Sequence, residues 1–130
     1  MTDNLEKTPR LTISIQGKEG CIGIHKNVVR TLGCPRYLAP RISRKRNLLM
    51  LVPCEREEAL SLEMPEKFLE NAHRNYRIHS LGFVRDILLT NGLRTECTYF
   101  LEGQYSKKNN AVIFPIASAR LFDPKNEEDA

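Results

Sequence analysis

The stretch LTISIQGKEGCIGIHKNVVRTLG, residues 11–33, decides how the chain is read. Leu11, Ile13 and Ile15 alternate with Thr12, Ser14 and Gln16, the period of two that a strand with one buried face requires. Gly17 to Gly20 supplies a turn, and Cys21 to Ile24 resumes as a second short extended piece. From His25 the spacing changes: Val28, Val29 and Leu32 fall on one face of a short helix, which Gly33 and then Pro35 stop.

Outward from this stretch the pattern continues. Tyr37 to Ser43 alternates again, with Leu38, Pro40 and Ile42 on one face, and Arg44-Lys45-Arg46-Asn47 turns the chain into Leu48 to Val52, a hairpin closed by Pro53. Residues 1–10 read as a flexible arm. Residues 55–75 read as a linker: acidic at Glu55 to Glu58, a brief strand at Leu60 and Leu62, and a short helix from Pro65 through Phe68 and Leu69. Ile78 to Asn91 has helical spacing in Leu81, Val84, Ile87 and Leu88, and Gly92 ends it. Thr98 to Tyr105 and Ala111 to Ala117 form a second hairpin, and residues 123–130 are an acidic tail. The expected fold is mainly β with short α-helices, built from a unit at 11–54 and a second, divergent hairpin-containing unit at 76–122.

The two units echo each other. Ile24-His25 recurs as Ile78-His79, Val29-Arg30 as Val84-Arg85, and YLAPRISRKRNLLMLVP (37–53) as YFLEGQYSKKNNAVIFP (99–115). The offset drifts along the chain, as in a gapped internal duplication rather than a strict repeat array. A strand pair, one short helix and a hairpin bury too little apolar surface to fold alone, so each unit needs a second copy to complete its core. Either the chain's own second half or another chain supplies it.

The segment GKEGCIGIHKNVVRTLG (17–33) resembles the AbrB-type transition-state regulators, whose DNA-binding unit is a swapped-hairpin barrel found also in MazE-type antitoxins and in MraZ. The resemblance is carried by the turn with Glu19-Gly20, the alternating Ile22 and Ile24, the helix bearing Arg30-Thr31-Leu32-Gly33, and the following hairpin. It is strongest over residues 11–54. Two such units in one chain are similar to the MraZ arrangement. The resemblance implies interleaved strands, a shared basic face formed by turns and helix starts, and duplex DNA bound mainly through its phosphates. Arg30 stands where the family's helix has an arginine facing DNA. Val29, Cys21 and Ser14 occupy other positions where the family often has basic residues, and His25 replaces the usual proline at the helix start.

Charge agrees with an anionic partner. The net charge is +4, but residues 1–54 hold ten Lys/Arg against three Asp/Glu while residues 55–130 hold ten against thirteen, so the basicity belongs to the first half. The candidate DNA contacts are Lys18 in the first turn, Lys26 and Arg30 on the helix, Arg36 and Arg41 beside and within the hairpin, and Arg44, Lys45 and Arg46 at its tip. Lys18 and Lys26 are expected to be the nearest basic neighbours of Arg30. In the second half Arg85 has Asp86 beside it to cancel its charge.

Other classes find no support. The longest apolar run, Leu48 to Val52, is far short of a membrane span, and the polar start is unlike a secretory signal, so the chain reads as cytoplasmic with no membrane partner. Cys21, Cys34, Cys54 and Cys97 form no CxxC pair, and His73 and His79 are badly spaced for ligation, so no metal or cofactor is expected. GxSxG, GxGxxG, HExxH and P-loop motifs are absent, which argues against an enzyme. Phe83, Tyr99, Phe100, Tyr105 and Phe114 are expected to serve the core. The reading is a DNA-binding transcription regulator that self-associates as a dimer or higher oligomer. The alternative is a protein-interaction module, antitoxin-like or an assembly scaffold, that keeps the fold without the DNA face.

Overall fold

A computed structural model describes residues 10–64 and 76–122. The arm expected over residues 1–10, apart from Arg10, the helix expected from Pro65 and the tail from Asp123 lie outside the described residues. The alternation in the opening stretch becomes strand β1, Leu11–Gln16, whose Leu11, Ile13 and Ile15 are buried. Strand β2, Cys21–Ile24, returns against it with Ile13 opposite Ile24 and Gln16 opposite Cys21. Helix α1, Lys26–Thr31, follows, and then the hairpin of β3, Tyr37–Ser43, and β4, Leu48–Pro53. The linker contributes only the two-residue strand β5, Leu62–Glu63, along β3. The second half runs β6, Tyr76–His79; α2, Leu81–Thr90; β7, Thr98–Ser106; β8, Ala111–Pro115; a single 3-10 turn, Ile116–Ser118; and β9, Arg120–Leu121, which lies along β7.

One reading of the sequence is corrected. Ile78 and His79 belong to a strand, not to the helix, because their backbone pairs with Ile22 and Cys21 of β2. The helix begins only after Ser80, whose hydroxyl accepts the Phe83 N–H.

The strands form one nearly closed antiparallel barrel in the order β5-β3-β4-β8-β7-β1-β2-β6. Each hairpin is wedged between the other hairpin and a strand outside both: β3–β4 lies between the linker strand β5 and β8, and β7–β8 lies between β4 and β1. Exchanging β1 to β4 with β5 to β8 sends β1·β7 onto β5·β3 and β3·β4 onto β7·β8, and leaves β4·β8 and β2·β6 in place. The pairing of β1 with β2 alone has no counterpart among the described residues, and there the barrel stays open.

Local details follow the same exchange. The residue after β1 donates to the one before β7, Gly17 N–H to Cys97 O at 3.0 Å, as the residue after β5 does to the one before β3, Met64 N–H to Arg36 O at 2.8 Å. Both helices end in a left-handed glycine, Gly33 (φ 84) and Gly92 (φ 66), and the next N–H reaches back, Cys34 to Val29 O and Leu93 to Leu88 O. Both hairpin tips end in a left-handed asparagine, Asn47 and Asn110, and in both a serine hydroxyl accepts a tip N–H: Ser43 from Arg46, Ser106 from Asn109.

The core is entirely apolar among the described residues. Ile13, Ile15, Ile22 and Ile24 meet Leu38, Leu49 and Leu51 from one hairpin and Leu101, Val112 and Phe114 from the other. Of the aromatic residues expected inside, Phe114 and Tyr99 are buried, Phe83 and Phe100 are half-buried, and Tyr105 is 41% exposed.

Two glycines give opposite tests of this packing. A Cβ at Gly17 would run into the backbone carbonyls of Thr95 and Cys97, whereas one at Gly82, inside α2, meets nothing. We expect Gly17→Ala to cost about 1–3 kcal/mol through overpacking and Gly82→Ala to add about 0.5 kcal/mol through helix propensity, both read from urea unfolding midpoints. Equal effects of the two would contradict the packing described.

Candidate nucleic-acid interface

Position along β2 organises the candidate site. At one end is the Gly17–Gly20 turn carrying Lys18, held against the start of α2 by the Ser80 N–H to Gly20 O bond of 2.9 Å. At the other end is α1, with His25 as its cap and Lys26 and Arg30 on it. The structure therefore keeps Lys26 beside Arg30 but separates Lys18 from both by the length of the strand.

Within the described residues, three of the eight candidate cations face carboxylates. Arg36 pairs with Glu63 at 2.8 Å, Arg41 with Glu58 at 2.7 Å, and Arg44 with Asp86 at 2.8 Å. Such exposed pairs stabilise little, on the order of 0–1 kcal/mol each, yet each sets a negative charge where a phosphate would have to approach. The Glu63 hydrogen bond and charge hold the Arg36 pKa above its ordinary value. Arg44 also corrects the expectation for the second half, since Asp86 pairs with it and not with Arg85. With the Asn47 Nδ2 to Asn91 Oδ1 bond of 2.7 Å, that ion pair lays the basic hairpin tip on α2. Lys18, Arg30, Lys45 and Arg46 make no ion pair among the described residues.

Between the two ends of β2 the outer sheet face carries a groove of about 120 Å³, lined by Thr12, Ser14 and Gln16 of β1, Gly23 of β2, His25, Arg77 and, on its apolar side, Phe100 of β7. Cross-strand register builds it: Gly23 lies opposite Ser14 on one side and Arg77 on the other. Gly23 keeps this space open, because a Cβ would sit 2.5 Å from Ser14 Oγ and 2.9 Å from Gln16 Nε2, and those side chains would have to shift. Arg77 was not among the residues singled out from the sequence. Only the pairing of β6 with β2, a contact across more than fifty residues of chain, brings it to the first unit.

The environment of His25 reports the local field. Its Nδ1 accepts the Asn27 N–H at 3.1 Å, and partial burial, then the charges of Lys26 and Arg30, lower its pKa below the ordinary 6.5. All four cysteines are free; burial pushes the Cys21 and Cys54 thiols up, with Arg77 opposing the shift at Cys21. Among the described residues no three His, Cys, Asp or Glu side chains converge on a metal position, and no helix is long and apolar enough to cross a membrane.

No protein-family model, no curated protein and no solved structure matches the chain, so its own residues and geometry carry the functional argument.

A histidine whose folded pKa is lowered binds fewer protons than in the unfolded chain, so its contribution to stability falls as pH drops from 6.5 toward the folded pKa. We expect His25 to titrate below 6.5 in an NMR titration and Arg30→Ala to raise its pKa. An unchanged value in Arg30→Ala would show that the Arg30 charge does not reach His25.

Proposed function

We propose that the protein binds duplex DNA through its phosphates, as an AbrB-like regulator of transcription whose two swapped-hairpin units pair within one chain. The exchange of hairpins between the halves supports the architecture. The observation that carries the binding reading is the line of cations along β2 that make no ion pair among the described residues: Lys18 at the turn, Arg77 at the middle, and Arg30 at the far end. Contacts of this kind position a duplex without reading base edges, and each releases counterions, so affinity depends steeply on salt.

The second reading, a protein-interaction module, rests on α2. Leu81 and Leu89 are 45% and 68% exposed on that helix, more apolar surface than its own packing requires. The same leucines would serve self-association of a DNA-bound form.

In a titration of random duplex fragments we expect micromolar or tighter binding at low salt that collapses as salt is raised. Arg30→Ala should weaken it and lower the slope of log K against log salt by about one. Arg41→Ala, whose charge is answered by Glu58, should change little. No binding at low salt would overturn the DNA reading in favour of the protein-partner one.

A further inference from the structure

We infer that the groove over Gly23 is an oxyanion site that seats one phosphate group, held jointly by the first half of the chain and by Arg77 of the second. The inference rests on the phosphate-binding part of the reading above and adds the seat itself.

Hydrogen-bond polarity decides what the groove accepts. The Cys21 thiol donates to Gln16 Oε1 at 3.4 Å, and Gln16 Nε2 donates to Ser14 Oγ at 2.9 Å. Ser14 Oγ thus already accepts a hydrogen bond, and its own O–H is left to donate to whatever occupies the groove. His25 is set in the same sense: Nδ1 accepts the Asn27 N–H, so the proton of the neutral ring is on Nε2. Arg77, exposed and without an ion pair among the described residues, adds a guanidinium that can only donate. No carboxylate lines the groove.

A concave surface that offers donors and positive charge selects an anion with several acceptor oxygens. Size narrows the choice. At about 120 Å³ the groove is well below the roughly 300 Å³ at which pockets for drug-sized molecules begin, and it suits a single tetrahedral group. Glycine at position 23 is what leaves that space, since a side chain there would strike the two groups that end the donor relay. The phosphate can come from a nucleic-acid backbone or from a free phosphate, and the chemistry at the groove is the same.

The test separates the seat from its source. Inorganic phosphate is titrated into the full chain at constant ionic strength, with chloride as the control, and amide shifts are followed by NMR; duplex binding is measured in parallel for the native chain, Arg77→Gln, Ser14→Ala and Arg36→Gln. We expect saturable shifts centred on Gly23 and Ser14 with phosphate but not chloride, weakened at least fivefold in Arg77→Gln and Ser14→Ala and unchanged in Arg36→Gln. Duplex affinity should fall in the same two variants. Phosphate shifts with no duplex binding would retain the seat, assign it to a free phosphate and overturn the DNA reading. Duplex binding that both groove variants leave intact, with no phosphate shifts at Gly23, would overturn the seat and leave the DNA reading standing. If Ser14→Ala perturbs folding, Arg77→Gln decides, since Arg77 is exposed and makes no packing contact the core needs.

Discussion

The antiparallel pairing of β4 with β8 is the constraint on which the rest of the molecule depends. Leu48 to Leu51 lie opposite Pro115 to Val112, and this seam joins the two hairpins. One hairpin then has its outer edge on the linker strand β5 and the other on β1, and Leu49, Leu51, Val112 and Phe114, all completely buried, meet across the seam from both halves. Units of some 45 residues bury too little apolar surface to stand alone. The seam makes a single core out of two insufficient ones.

That architecture also determines what the surface offers. The outer face of β2 is flanked by β1 of its own half and by β6 of the other, so the residues around Gly23 come from both halves of the chain. The two halves are not equivalent there. Cations concentrate along β2, while the basic β3–β4 tip and the flanks of its hairpin are tied to Asp86, Glu58 and Glu63. A count of Lys and Arg overstates the field available to a polyanion, because much of the positive charge of the first half is already answered by carboxylates that follow it in sequence.

Much of the fold was legible in the sequence because its signals are local. The alternation of Leu11, Ile13 and Ile15, the left-handed glycines that end both helices, and the asparagines closing both hairpin tips need no tertiary information. Ile78 misled because Ile78, Leu81, Val84 and Leu88 also fit a helical period; pairing with Ile22, distant in the chain, made its segment a strand. The site was less legible for the same reason. Arg30 and Lys26 are neighbours on one helix and were found together, whereas Arg77 joins them only through β2–β6 pairing, and the loss of Arg36, Arg41 and Arg44 to ion pairs depends on long-range contacts that no motif encodes.

The central claim is that the two halves complete one core within a single chain. It is tested most directly by an isotope-filtered NOESY experiment on an equimolar mixture of labelled and unlabelled protein, observing the cross-strand contacts Leu49 to Phe114 and Leu51 to Val112. The account requires both contacts within labelled chains and neither between labelled and unlabelled ones. Contacts found only between chains would place the exchange in an obligate dimer, and the absence of both would contradict the β4–β8 seam itself.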